Sequence, residues 1–167
     1  TTSRQSRVRP VFCHCSSFSV PEEAGPAVIT LVRSGNSNGA ATLQYATADG
    51  TAKTSDNDYV GKSGTLTFAP GVTSQTLTVN VNGDAKFEAN ETFALTISSP
   101  TNATIGTGTG TGTITNDDAP PTLSINSVAQ IEGDAGTTSF IFTVTQSAVS
   151  GLASTFNYAT ADGSATT

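Results

Sequence analysis

The chain of 167 residues contains 30 Thr, 19 Ser and 16 Gly, with 35% apolar residues, a composition that favours strands and turns over helices. Only 12% of the residues are charged and the formal net charge is −6, which argues against a nucleic-acid partner because phosphates need clustered Lys and Arg. The apolar runs are too short to span a bilayer, so we predict no transmembrane segment.

Residues 1–17 are predicted to be an atypical lead-in. They hold both cysteines and the sole histidine of the chain, in the tripeptide Cys13-His14-Cys15. A zinc site needs about four ligands at a recognisable spacing, and the sequence has no other Cys or His to complete one. We therefore predict neither a metal site in this segment nor a Ser-His-Asp catalytic arrangement elsewhere in the chain.

Alternating apolar residues next predict seven short strands separated by Gly, Asn and Pro turn signals. The predicted strands lie near 18–20 (with a start as early as Val11 as an alternative), 27–33, 41–48, 64–69, 75–81, 91–98 and 110–115. The inward positions would be Val28, Leu43, Tyr45, Leu66, Phe68, Leu77, Val79, Phe93, Leu95 and Ile97. Seven such strands are typical of an antiparallel β-sandwich. The Gly-Thr run at 106–112 is predicted to be a flexible entry to the last strand.

The hexapeptide YATADG occurs at residues 45–50 and again at 158–163, an offset of 113 residues. A fixed offset of this length is typical of tandem domains. We predict a complete copy over 18–118, a short proline-containing linker at 119–121 and a truncated second copy over 122–167. The second copy would contain only the first three strands, near 122–131, 138–145 and 153–161, and three strands cannot close a sandwich core.

All ten acidic residues between Phe18 and Asp118 fall on the connections at one end of the predicted sandwich. They are Glu22, Glu23, Asp49, Asp56, Asp58, Asp84, Glu88, Glu91, Asp117 and Asp118. The connections at the other end carry no acid, because successive antiparallel strands place alternate connections at opposite ends. Ten like charges on one rim repel each other, and the three lysines at the same end do not balance them.

A divalent cation would neutralise this rim. Calcium takes six to eight oxygen ligands in flexible geometry, whereas magnesium prefers a tight octahedron that keeps several waters. Zinc or iron would need His or Cys, which the rim lacks. Each acidic motif also has a structural interpretation: Asp49-Gly50 as a turn pair, Asp117 and Asp118 as a solvated linker, and Glu88 and Glu91 as outward residues at the entrance of a strand.

The sequence resembles the Calx-β domain family over residues 18–118, and over 121–167 it resembles the first part of another copy. The matching runs are FSVPEEAGPAVITLVRSG, YATADGTA, DNDYVGKSGTLTFAPGVTSQTLTVNV, FEANETFALTIS and TITNDD. The resemblance implies a seven-stranded immunoglobulin-like β-sandwich, followed by a partial second sandwich. The family is known from sodium/calcium exchangers, an integrin subunit and many large bacterial surface and secreted proteins.

The resemblance also implies a set of calcium-binding residues in the loops at one tip. By position in the matching motifs these are Glu22, Glu23, Asp49, Asp84, Glu88, Glu91, Asp117 and Asp118. Calcium-binding members often carry acids where this chain has Gly83, Asn90 and Asn116. Fewer carboxylates imply that fewer calcium ions are bound, or that they are bound more weakly.

Two functions follow as expectations. The first is a calcium-binding structural or adhesion module of a larger multidomain repeat protein. This protein would be extracellular or at the cell surface, and a membrane-anchored parent is one alternative. Its partners would be calcium ions, adjacent repeats of the same chain and, left open, a protein or carbohydrate surface. The second is a calcium-independent spacer or adhesion repeat. We predict no enzymatic activity, because the acidic loops lack a cleft with aromatic walls.

Overall fold

The computed structural model describes residues 11–13 and 17–164, with side chains from Ser17 onward. The chain divides into two compact units. Unit 1 comprises Thr1–Asp84 and Ala89–Asp117, and unit 2 comprises Ala85–Glu88 and Asp118–Thr167. The prediction for Cys13-His14-Cys15 lies outside the described side chains.

Unit 1 contains all seven predicted strands and two additional short ones among its described residues. In chain order the strands are β1 (Val11–Cys13), β2 (Phe18–Pro21), β3 (Ala27–Ser34), β4 (Ala41–Asp49), β5 (Ser63–Phe68), β6 (Ser74–Val79), β7 (Glu91–Thr101), β8 (Thr104–Ile105) and β9 (Thr109–Thr115). A single 3₁₀ turn, Glu22–Ala24, follows β2. The additional strands are β1, which lies in the predicted lead-in, and β8.

The strands of unit 1 form two sheets. One has the order β6-β3-β1-β8, and the other has the order β2-β9-β7-β4-β5. Neighbours are antiparallel except β1 with β8 and β2 with β9, which are parallel. Residues of both sheets make one buried apolar cluster. This is the predicted all-β sandwich.

The core confirms most of the predicted inward positions and corrects one of them. Leu43, Phe68 and Leu95 are completely or almost completely buried. Val28, however, is 62% exposed, and the inward residues of β3 are Ala27, Ile29, Leu31 and Arg33. The prediction for β3 was therefore wrong by one residue in phase, which moves every side chain of a strand to the other face.

Arg33 is the unexpected member of the inward set, since it is only 2% exposed. Its Nη2 donates to the carbonyl oxygen of Gly39 at 2.7 Å and to that of Asn36 at 3.4 Å. The guanidinium thereby closes the connection between β3 and β4. This connection is at the end of the sandwich that carries no acidic residues.

Residues 109–112 of the Gly-Thr run belong to the regular strand β9, so the prediction of a flexible entry at 106–112 was wrong for these residues, while residues 106–108 lie outside the strand. The glycines of β9 point inward and are buried, while Thr109 and Thr111 point outward and are exposed. A Cβ at Gly112 would lie 2.6 Å from Cζ of Phe18 and 2.7 Å from Cζ of Phe93. Glycine is needed here because the two rings occupy the space of a side chain.

Unit 2 has little regular structure among its described residues. Its strands β10 (Leu123–Ile125) and β11 (Val144–Gln146) pair antiparallel, and Phe87 pairs with Ser150 in an isolated parallel bridge. The predicted strand at 153–161 is not formed. Several large apolar side chains are exposed in this unit, including Ile131, Ile141 and Tyr158, in line with a core that is not closed.

The described residues include no helix of the length and apolarity that crossing a membrane requires.

Candidate metal centre

The strand directions bring all acidic residues of unit 1 to one end of the sandwich. The parallel strands β2 and β9 finish together, with Pro21 opposite Thr115. At the same end β4 and β6 finish, and β3, β5 and β7 begin. Every acid of unit 1 lies on one of these connections or at its edge. They are Glu22, Glu23, Asp49, Asp56, Asp58, Asp84, Glu91 and Asp117.

The first pair of carboxylates is Glu22 with Asp117. Glu22 begins the 3₁₀ turn directly after β2, and Asp117 lies two residues beyond the end of β9. Because β2 and β9 run side by side, these two residues leave the sheet together, and a carboxylate oxygen of each lies within 4.8 Å of the other. Glu22 is only 8% exposed, and the amide of Glu23 donates to Oδ2 of Asp117 at 3.4 Å.

The second pair is Asp58 with Glu91, whose carboxylate oxygens also lie within 4.8 Å of each other. Glu91 is the first residue of β7. Asp58 lies on the connection between β4 and β5, where its Oδ2 accepts from the amide of Lys53 at 2.7 Å. Its carbonyl oxygen accepts from the amide of Asn82 at 3.0 Å. Sequence reasoning placed Asp58 on the acidic rim but did not select it as a ligand.

Asp49 is in neither pair. Its Oδ1 accepts from the hydroxyl of Tyr59 at 2.6 Å and from the amide of Thr54 at 3.2 Å, and its Oδ2 accepts from Oγ1 of Thr54 at 3.3 Å. The hydrogen bond from Tyr59 is the main reason that the pKa of Asp49 lies below its usual value. This carboxylate is therefore committed to contacts within its own loop.

The remaining predicted ligands divide between the two units. Asp84 follows Gly83, where a Cβ would lie 3.0 Å from Cγ of Glu23 and 3.2 Å from the carbonyl oxygen of Glu22. The connection between β6 and β7 thus packs closely against the Glu22–Ala24 turn, and a side chain at Gly83 would require these neighbours to shift by a few tenths of an ångström. Glu88 belongs to unit 2, where it forms an ion pair with Lys86. Asp118 also belongs to unit 2 and directly follows Asp117 in the sequence.

The environment of Tyr59 predicts that the folded chain loses stability at alkaline pH. Burial and, next, the hydrogen bond to Asp49 raise the pKa of Tyr59 to about 12. The folded chain thus favours the neutral hydroxyl, so this stabilisation is complete below the unfolded pKa of about 10. It is lost as the pH rises from about 10 to about 12. The Tm of the wild type should therefore fall more steeply with pH across this window than the Tm of Tyr59→Phe. Parallel curves for the two proteins would contradict the assignment.

A two-sheet sandwich with all its acidic side chains at one end defines a class of β-sandwich modules with an acidic tip. The Calx-beta domain family model matches residues 6–119 and again residues 116–167. The chain therefore belongs to the Calx-beta domain family, and this confirms the resemblance found in the sequence.

Individual relatives share the same segment. The sodium/calcium exchanger Calx of Drosophila melanogaster is 36% identical over 83 residues, which are 50% of this chain and 9% of the exchanger. The extracellular matrix organizing protein FRAS1 of Homo sapiens is 33% identical over 116 residues, which are 66% of this chain and 3% of FRAS1. The chain thus spans less than a tenth of either relative.

Solved structures show the same fold. The apo form of the Calx CBD1 domain has a TM-score of 0.61 at 32% identity, covering 66% of this chain and 97% of that domain. The calcium binding domain CBD12 of CALX1.1 has a TM-score of 0.62 at 30% identity, covering 72% of this chain and 50% of that structure.

Proposed function

We propose that this chain is a calcium-binding structural module of a larger multidomain repeat protein. The observation that carries the proposal is the pairing of Glu22 with Asp117 at the end of unit 1. Glu22 is buried, and burial of a carboxylate beside a second carboxylate is costly unless the charge is compensated. A divalent cation provides that compensation and uses the same oxygens as ligands.

The second pair extends the same chemistry along the rim. Asp58 and Glu91 add two carboxylates on neighbouring connections, and backbone carbonyl oxygens and water can complete a shell of six to eight oxygens. Calcium accepts such a mixed, flexible set, whereas zinc and iron prefer nitrogen or sulfur ligands. The proposed ligands are therefore Glu22 and Asp117 in one group and Asp58 and Glu91 in the other. Glu23, Asp84, Glu88 and Asp118 are further candidates.

The affinity is expected to be weak. Position 83 is a glycine, which offers no carboxylate, and the carboxylate of Asp49 is engaged by Tyr59 and Thr54. Both features reduce the number of charged ligands available to an ion. We expect a dissociation constant of roughly 10⁻⁴ to 10⁻³ M, the range of extracellular calcium modules.

The relatives support the wider role. One is named as a sodium/calcium exchanger and another as an extracellular matrix protein, and one similar structure is named as a calcium binding domain. By analogy we place the parent protein at the cell surface or outside the cell, with adjacent repeats of the same chain as neighbours. We infer a non-catalytic role, and a protein or carbohydrate surface remains open as the adhesion partner.

Calorimetric titration of the chelator-stripped chain with calcium tests the proposal. We expect saturable heat, and unfolding should become harder as calcium rises because the ion binds the folded state. The gain is RT ln(1 + [L]/Kd), or about 2.7 kcal/mol when calcium is at a hundredfold excess over Kd. Magnesium at the same concentration should give a much smaller gain, since it prefers a stricter octahedron.

The alternative function is a calcium-independent spacer or adhesion repeat, which the limited number of available carboxylates favours. The same titration decides between the two. A folded, chelator-stripped chain that gives no saturable heat and an unchanged Tm in millimolar calcium would establish the spacer.

A further inference from the structure

We propose that Asp49 is a positioning residue, which acts through Tyr59 to set the separation of the Asp58 and Glu91 carboxylates. This inference rests on the proposed function. It assigns the repeated YATADG motif a role different from direct coordination of the ion.

The first link is the hydrogen bond from Tyr59 to Asp49. The Tyr59 hydroxyl lies 2.6 Å from Oδ1 of Asp49, a short distance typical of a hydroxyl that donates to an ionised carboxylate. Tyr59 directly follows Asp58 in the chain. Fixing the phenol at its hydroxyl end therefore also fixes the main chain from which the Asp58 carboxylate extends.

The second link is an aromatic stack. The ring of Tyr59 lies parallel to that of Phe93, with the ring centroids 4.5 Å apart and an interplanar angle of 15°. Both side chains are buried. Phe93 lies two residues after Glu91 on β7, so the stacked rings connect the chain segment of one carboxylate to that of the other.

The third link holds the loop after Asp49 against the start of β7. The amide of Ala52 donates to the carbonyl oxygen of Thr92 at 3.0 Å, and the amide of Thr92 donates to Oγ1 of Thr51 at 2.8 Å. A Cβ at Gly50 would collide with the same Thr92 carbonyl oxygen, so the glycine of the motif permits this close approach. Thr92 adjoins Glu91 in the chain. The loop that follows Asp49 is thus bonded to the segment that carries the Glu91 carboxylate.

The oxygens of Asp49 are used within this arrangement. Its carboxylate accepts from Tyr59 and twice from Thr54, so direct coordination would require it to give up at least part of this network. A role through Tyr59 keeps all three hydrogen bonds and still makes the ion site depend on Asp49.

Calorimetric calcium titration of three variants tests the inference. Tyr59→Phe keeps the stacked ring and removes only the hydroxyl. Asp49→Asn keeps an acceptor oxygen for Tyr59 and removes the charge. Tyr45→Phe is the matched control, since it removes a hydroxyl from a half-buried tyrosine on β4. Unfolding without calcium verifies that each variant is folded.

We expect Tyr59→Phe to weaken calcium binding about three- to tenfold, which is less than the full value of a hydrogen bond to a charged group because Tyr59 acts on the ion site only indirectly. Asp49→Asn should stay within about threefold of the wild type, and Tyr45→Phe should match it. A large loss in Asp49→Asn with no loss in Tyr59→Phe would identify Asp49 as a ligand and overturn the inference. So would wild-type affinity in Tyr59→Phe. If Tyr59→Phe does not fold, Asp49→Asn alone decides: calcium binding within about threefold of the wild type supports the inference, and a larger loss identifies Asp49 as a ligand and overturns it. A wild-type chain that binds no calcium overturns the proposed function, and this inference with it.

Discussion

Replacement of Gly112 by valine should destabilise unit 1 by about 3 kcal/mol, the upper end of the usual range for an overpacked core. The new Cβ would lie 2.6 Å from Phe18 and 2.7 to 2.8 Å from two atoms of the Phe93 ring. These rings pack edge to face with centroids 5.7 Å apart, and Phe93 is 1% exposed. Phe93 is enclosed by the core, so its ring cannot move aside without disturbing the packing around it.

Urea denaturation measures this loss, and Gly39→Ala is the matched control. Gly39 lies on an exposed connection, and a Cβ there meets no atom within 4 Å. The control should therefore change the free energy of unfolding by less than about 0.5 kcal/mol. If Gly112→Val unfolds at the same urea concentration as Gly39→Ala, the inward orientation of β9 is wrong.

Replacement of Glu22 by glutamine should abolish most of the stabilisation that calcium gives to the wild type. Glutamine keeps the size of the side chain but removes its charge, so an ion held with Asp117 loses a strong ligand. Without calcium the variant should be as stable as the wild type or more stable, because two neighbouring carboxylates no longer repel each other. The opposite signs of the two effects separate loss of an ion from general damage to the fold.

Thermal unfolding with chelator and with millimolar calcium measures both effects, and Asp56→Asn provides the control. Asp56 is an exposed acid at the same end of unit 1 and belongs to neither carboxylate pair. The Asp56→Asn variant should keep the full rise of Tm that calcium gives to the wild type. A Glu22→Gln variant that also keeps the full rise would remove Glu22 from the site.

The sequence predicts the strands well because each has alternating side chains and ends in residues that favour turns. The prediction fails in phase at β3, where both sets of alternate positions are largely apolar. Ala27, Ile29 and Leu31 lie on one face, and Val28 and Val32 on the other. Arg33 lies in phase with the buried set, so the position of the charged residue in the sequence also favoured the wrong face as the exposed one. Only packing against the second sheet decides which face of β3 is buried.

The end of the sandwich that holds the acids is also predictable, since it follows from strand direction alone. The grouping of the acids is not. Asp49 and Asp58 are both acids near Tyr59, and nothing in their spacing reveals that Asp49 accepts the hydroxyl while Asp58 faces Glu91. Likewise, the Gly-Thr run has the composition of a flexible segment, yet its residues 109–112 are part of β9, where Gly112 lies against the rings of Phe18 and Phe93.

The predicted strand at 153–161 shows the limit of reasoning from repeats. Its sequence closely matches β4, which is hydrogen-bonded on both sides, by β5 and by β7. The 153–161 segment has no such neighbours among the described residues of unit 2. A strand is stabilised by the strands beside it, so similarity of sequence does not by itself make the segment a strand.

The central claim is that carboxylates at one end of unit 1 hold calcium. It is tested most directly by crystals of chelator-stripped protein transferred to saturating calcium, with anomalous difference maps computed from the data. We predict a peak at roughly 2.3 to 2.6 Å from carboxylate oxygens of Glu22 and Asp117, which is absent from crystals kept in chelator. Maps without a peak within coordination distance of either carboxylate pair would contradict the claim.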